Sequence, residues 1–212
     1  MELLHTDELF ILRHGETAGE SSIRYYGSTD IPLSDIGRRQ MMLAGEALRG
    51  IGFNSVVTSP LARSRESAAL ALDGSVSREI VVEDFREIHF GDWEGLTADE
   101  IAVRYPELYS RWRVEGRLDG FPNGDIRSDF FLRVSSAAGR IFSGIELPSL
   151  AVLHKGVIRG ILSRLLEIRY DDLLDHSIEL GSIHRLRRTG NTWELVGINE
   201  TVHLGKYRME HS

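Results

Sequence analysis

The residues that could do chemistry in this chain lie in four short segments, each following a short apolar run. They are Arg13-His14-Gly15-Glu16-Thr17, Ser59-Pro60-Leu61-Ala62-Arg63, Glu87-Ile88-His89-Phe90-Gly91-Asp92-Trp93-Glu94-Gly95 and His154-Lys155-Gly156. A neutral His14 with a fixed tautomer has one unprotonated nitrogen that can attack phosphorus in line. Arg13 and Arg63 supply planar forks that match phosphate oxygens. Ser59-Pro60 reads as the N-cap and first turn of a helix whose free amides would face an anion. His154, if protonated, is a third cationic donor. Glu87 can protonate an alkoxide leaving group and then take a proton from water.

Each assignment has a plainer rival. His14 alone could be a hydrogen-bonded histidine at a strand end. Glu94 competes with Glu87, but it can instead cap the following helix or bond within its own turn, and Glu87 is preferred. Arg65 lies two residues beyond Arg63 on another helix face and is assigned to the surface. Arg159 is read as a structural ion pair and His89 as standing off the substrate. His5, His176, His203 and His211 are read as surface or structural. Trp93, Tyr105, Tyr109 and Trp112 are read as core rather than as a substrate platform.

The four segments need a scaffold that brings strand ends together. Leu9–Leu12, Ser55–Thr58, Ile80–Val82 and Leu150–Leu153 read as strands. A helix is predicted over 35–49, with Ile36, Leu43, Ala44, Ala47 and Leu48 at helical spacing. Ile183–Arg187 and Trp193–Val196 form a hairpin pattern around Thr189-Gly190-Asn191. Apolar strands separated by helices predict a mostly parallel sheet buried on both faces, an α/β fold with three α/β/α layers. In such sheets ligands bind beyond the carboxyl ends of the strands. Residues 92–147 break the rhythm and read as a small helical insertion over the active site. There Thr97-Ala98-Asp99-Glu100 is a capping box, Tyr105-Pro106 ends its helix, and Asp125 to Gly144 forms another. A single domain over 1–212 is expected.

Composition sets the outer limits. The chain has 212 residues, 42% of them hydrophobic, and no cysteine, which excludes disulfides and thiolate chemistry. A net charge of -7 argues against nucleic-acid binding. Apolar runs fall far short of the roughly 20 residues that span a bilayer, and residues 1–8 lack a signal-peptide pattern. A soluble, cytoplasmic protein with no metal and no cofactor is expected; a homodimer is left open.

The four segments, together with Asp30-Ile31-Pro32-Leu33-Ser34-Asp35-Ile36-Gly37 and the continuation to Arg159, resemble in order the blocks of the histidine phosphatase superfamily, which includes cofactor-dependent phosphoglycerate mutases. The resemblance covers residues 9 to about 160. It implies a phosphohistidine on His14, a phosphate pocket of Arg13, Arg63 and His154, and an acid at Glu87. Substrate contacts are expected from Arg13, Thr17, Glu20, Tyr26, Gly27, Arg63 and Lys155. Departures occur at Glu20, often Asn in the family, at Tyr26, often a polar residue such as Gln, and at Lys155, usually small; Gly124-Asp125-Ile126 stands where Gly-Glu-Ser is frequent. A carboxylate at Glu20 would repel phosphate, so it must point away or meet a cationic or hydroxylated part of the substrate. Glu87 and His154 are 67 positions apart. That spacing and the Phe90-Gly91-Asp92-Trp93 block resemble the phosphatase branch, which includes phosphatases of fructose 2,6-bisphosphate and alpha-ribazole phosphate. The expectation is a metal-independent phosphomonoesterase acting on a small phosphorylated metabolite. A phosphoglycerate-type mutase and a non-catalytic phospholigand-binding module are the alternatives.

Overall fold

The computed structural model describes residues 7–20, 23–75, 78–115 and 118–209. Its centre is β1 (Glu8–Arg13), whose six residues are all buried. With β2 (Ser55–Thr58), β3 (Glu79–Val81), β4 (Ser149–Leu153), β5 (Ile183–Thr189) and β6 (Thr192–Glu200) it forms one six-stranded sheet in the order β3-β2-β4-β1-β5-β6. The first four of these neighbours run parallel, and β5 and β6 are antiparallel. Alternation along the strands divides the core. Leu9, Ile11, Val57, Ala151 and Leu153 face one layer, and Phe10, Leu12, Val56, Leu150 and Val152 the other.

Helices cover both faces, as expected of a sheet built from continuous apolar runs. On one side α1 (Asp35–Ala47) packs on α2 (Ala62–Ala71). On the other, α5 (Arg127–Phe142) packs on α6 (Lys155–Leu166). The hairpin between β5 and β6 turns where predicted, at Gly190, which has φ +62°.

The buried face of α1 is Gly37, Gln40, Met41 and Ala44, while Ile36 is largely exposed, contrary to the predicted stripe. The reason is contact with the first segment. A Cβ on Gly37 would lie 2.0 Å from the carbonyl oxygen of Glu16. Gln40 Oε1 accepts from the Glu16 amide at 2.9 Å. The helix is rotated to grip the backbone after His14.

The region read as an insertion divides in two. Its first part holds α3 (Ala98–Arg104), opened by the predicted Thr97–Glu100 capping box and ended at Tyr105, and α4, which starts at Pro106 (Pro106–Glu115). These helices close over Trp93, Leu96, Ile101 and Leu118, with Tyr105, Tyr109 and Trp112 packed around them as core. The second part, α5, reaches over the sheet end only with its N-terminal residues, where Arg127, Ser128, Phe130 and Phe131 border the space beside Glu87. It lies in the helical layer because Phe130, Val134, Ala137, Ala138 and Phe142 bury one face in the main core. A short loop ties the two parts to the third segment: His89 donates its amide to Asp125, and Asp92 donates its amide to Pro122, each at 2.9 Å. Gly91 sits there at φ +58°, with no room for a Cβ beside the Pro122 carbonyl. Among the described residues no helix is long and apolar enough to cross a membrane.

Candidate active site

Sheet register brings the segments together. Arg13 stands opposite Leu153, and Thr58 opposite Val152, so β1, β4 and β2 end nearly level. The next residues are His14, His154 and Ser59. The third segment reaches them through a turn of 3-10 helix, Glu83–Phe85, after β3. Arg13, His14, Arg63, Glu87 and His154 are all buried, none more than 7% exposed.

His14 is held from both sides of the main chain. Its amide donates to Leu153 at 3.0 Å, and its carbonyl accepts from Gly181 at 3.3 Å. Its Nδ1 lies 2.7 Å from the Gly15 carbonyl oxygen, which can only accept. Nδ1 therefore carries the proton, and Nε2 is the unprotonated nitrogen. Burial first, and then Arg63 and Arg13, hold its pKa well below the usual histidine value, so the ring is neutral.

His154 lies 5.0 Å from His14 between ring centres. The condition under which it would be a third cation, a protonated ring, is not met in this geometry. Its Nδ1 accepts from Arg63 Nε at 3.3 Å, and its Nε2 lies 2.6 Å from Ser59 Oγ. A nitrogen that accepts cannot be protonated, and burial together with Arg63 pushes the ring well below its ordinary pKa. The cationic groups are Arg13 and Arg63. Burial lowers them to about 9 and about 10, so both remain charged at neutral pH. Arg13 donates to the Ile178 carbonyl at 2.6 Å. Arg63 donates to the Thr29 carbonyl at 2.8 Å and also to that of Gly27.

Ser59 does not cap α2. The helix starts at Ala62 after Leu61, and the amides nearest the turn are already engaged. Ser64 Oγ accepts from the Ser59 amide at 3.0 Å, and Asp30 accepts from the Ala62 amide at 2.7 Å. Ser59 instead holds His154, a role its place in the second block did not reveal. Glu87 accepts from the amides of Ile88 and Gly156, each at 2.9 Å, so the first turn of α6 holds its carboxyl group. Glu94 accepts from the amides of Gly27, Ser28 and Phe90 and from Thr29 Oγ1. It braces the loop that carries the acceptors for Arg63.

The expected substrate contacts separate into groups. Thr17 is buried and bridges to Leu33. Glu20 points away: its side chain is 65% exposed and pairs with Arg24 at 3.4 Å. Tyr26 packs over Gly19 and Gly95, and its neighbour Tyr25 faces the cavity instead. Gly27 has its amide taken by Glu94 and its carbonyl by Arg63, so it shapes the site through its backbone. Lys155 lines a cavity of about 690 Å³ that opens beside Glu87, and burial there lowers its pKa to about 7.

Outside the cluster, Arg65 pairs with Glu79 at 3.1 Å on the surface, as expected. Arg159 makes no ion pair among the described residues; it donates to the carbonyls of Leu174 and His176. His89 accepts from the Gly91 amide, His176 is exposed and His203 bonds the Gly181 carbonyl. His5 and His211 lie outside the described residues. No group of three or more histidine or acidic residues among those described is placed to hold a metal ion.

A family model described as histidine phosphatase superfamily, branch 1, matches residues 9–201. This chain belongs to that superfamily. It is 28% identical to adenosylcobalamin/alpha-ribazole phosphatase of Salmonella typhimurium, over 82% of this chain and 86% of that protein. It is 34% identical to a bifunctional protein of Mycobacterium tuberculosis over 82% of its own length, and spans about half, 48%, of that relative. The solved mycobacterial glucosyl-3-phosphoglycerate phosphatase superposes with a TM-score of 0.76 at 26% identity, covering 91% of this chain and 98% of that one. Membership in the superfamily bears out the resemblance drawn from the ordered blocks.

Proposed function

We propose that this superfamily member is a phosphomonoesterase acting through a phosphohistidine on His14. The observation that carries the reading is the Nδ1 proton on Gly15 O, which leaves Nε2 as the nucleophile beside two buried guanidiniums. In the first step Nε2 bonds to phosphorus, the ester P–O bond breaks, and the leaving oxygen takes a proton from Glu87. In the second, water attacks the phosphohistidine and gives a proton to Glu87. The N–P bond breaks and inorganic phosphate departs. Each Glu87 oxygen accepts one amide and keeps a lone pair for that proton. Arg13 and Arg63 stabilise the charge on the equatorial oxygens throughout. With Arg13 and Arg63 already cationic, a neutral His154 acts as a dipole that orients rather than as a charge.

Names among the relatives point to different esters, so the substrate class here is given only as a small phosphorylated metabolite. The test is phosphate release from a panel of esters in EDTA, with His14→Ala as control. Metal-independent release that vanishes in the variant supports the reading. Release that survives His14→Ala sinks it. Interconversion of phosphoglycerates only after priming by a bisphosphoglycerate would make the protein a mutase. Tight ligand binding without turnover would make it a binding module.

A further inference from the structure

The cavity beside Glu87 has more structure than cleavage of a small ester requires. It measures about 690 Å³, within the size that encloses a drug-sized ligand. Glu87, Lys155 and Gly156 line it, while His14, Arg13 and Arg63 do not. In the mechanism proposed above the transferred phosphoryl group lies against those three residues, and Glu87 meets the leaving oxygen. The cavity therefore receives the alcohol part of the ester.

Two features describe that alcohol. Aromatic rings dominate the wall: Tyr25, Phe90, Phe121, Phe130, Phe131 and Tyr170. Pairs among them meet edge to face, Phe90 with Phe121 at 4.9 Å and Phe131 with Tyr170 at 5.0 Å. Such walls suit a flat ring system. Cations form the second feature, in Lys155, Arg127 and Arg159. Arg127 bonds the Tyr170 hydroxyl and has no carboxylate partner among the described residues. Arg159 is satisfied only by carbonyls, and its Nε is buried with no acceptor among the described residues. Of the acidic residues in the lining, Glu87 favours the charged forms of Lys155 and Arg159, but burial outweighs it. Glu87 is held by two amides, Asp119 is exposed at the rim, and Asp171 pairs with Arg169 at 3.6 Å. Burial together with Arg13 and Arg159 lowers Lys155, and a bound oxyanion would restore its charge.

We infer that the preferred substrate is a phosphomonoester of a ring-bearing alcohol carrying a second oxyanion, which Arg127 and Arg159 receive beside the aromatic wall. The inference rests on the phosphohistidine reading. It names the substrate class of that same site.

The experiment compares kcat/KM for 2-naphthyl phosphate, the same ester with a carboxylate or a second phosphate on its distal ring, and 3-phosphoglycerate, which has the anion but no ring. The distally charged naphthyl esters should exceed both the plain naphthyl ester and 3-phosphoglycerate by about 10- to 100-fold, the worth of one or two charge-assisted hydrogen bonds. The carboxylate and phosphate arms tell which oxyanion is used. Arg127→Gln should bring the charged-to-plain ratio close to one, and Arg159→Gln should lower it too. Arg127 is part-exposed at the start of α5, so its variant remains interpretable if the Arg159 variant fails to fold. Release that disappears in His14→Ala but shows no preference for the charged naphthyl esters overturns this inference alone. So does a preference that survives Arg127→Gln. Release that persists in His14→Ala, or none from any ester, overturns it together with the reading beneath it.

Discussion

Arg63 donates from Nε to Nδ1 of His154 at 3.3 Å, and that bond decides the state of the second histidine. With Nδ1 accepting, the proton sits on Nε2 and is donated to Ser59 Oγ at 2.6 Å. Ser59→Ala would leave a fully buried N–H without its acceptor, at a cost of about 1–3 kcal/mol. For a chain of this size that lowers Tm by roughly 2–4 °C per kcal/mol. Thermal melts of the variant check this; an unchanged midpoint would mean that the serine is not needed to hold the ring.

Glu87 should matter in proportion to the leaving group's need for a proton. Glu87→Gln is expected to lower kcat/KM for alkyl phosphates by about 10²–10⁴-fold. For p-nitrophenyl phosphate, whose leaving oxygen departs unprotonated, the first step should slow far less. The second step still needs a base, so the variant should accumulate phosphorylated His14 with that ester. An alkaline quench followed by mass measurement detects it. Equal losses on both esters, with no trapped phosphoenzyme, would remove Glu87 from proton transfer.

How much of this could be read beforehand follows from how the site is built. His14, Arg63, Glu87 and His154 each follow a short apolar strand, and parallel strands that end level must bring those positions together. That is local pattern plus one topological rule, and both are visible in a sequence. The charge of His154 was not, because it depends on Arg63 from α2 and Ser59 from the end of β2 arriving at particular atoms. The direction of Glu20 depends on Arg24, four residues on. The face of α1 depends on Gly37 meeting Glu16. Arg127, Arg159 and Tyr170 meet in the cavity only because α5 packs along α6, a tertiary contact with no local pattern behind it.

Gly27 should tolerate no side chain. A Cβ there would stand 1.7 Å from the Ile88 carbonyl oxygen, which is main chain and cannot rotate aside. Its amide serves Glu94 and its carbonyl serves Arg63, so a shift of the loop releases both. Gly27→Ala is expected to cost about 1–3 kcal/mol as overpacking and to lower turnover through the freed guanidinium. Melting and steady-state kinetics on one preparation check both effects. A variant with native Tm and native kcat/KM would show that the loop has slack that its close contacts deny.

Three buried neutral histidines should make the fold sensitive to mild acid. His14 and His154 are held well below the ordinary histidine value by burial and then Arg63; His184 is lowered to about 3 by burial and then Arg13. In the unfolded chain each titrates near ~6.5. Between these limits the unfolded state binds protons that the native state refuses, so stability is retained above about pH 6.5 and lost as the pH falls through it. The slope approaches about 1.4 kcal/mol per pH unit for each histidine once the pH is well below ~6.5. Carboxylates lowered by arginine partners, such as Glu79 and Glu179, lose their contribution only further into acid, because their folded values lie below the ordinary carboxylate range. Thermal melts between pH 7 and pH 5 should therefore report mainly the histidines. His184 Nε2 lies 3.1 Å from Ser182 Oγ, and its Nδ1 accepts from the Asn199 amide at 3.1 Å. A glutamine there can donate and accept without titrating. His184→Gln should flatten the decline of Tm with falling pH relative to the unsubstituted protein, whatever its midpoint at pH 7. Parallel profiles for the two proteins would show that His184 takes up its proton in the folded state at no greater cost than in the unfolded one.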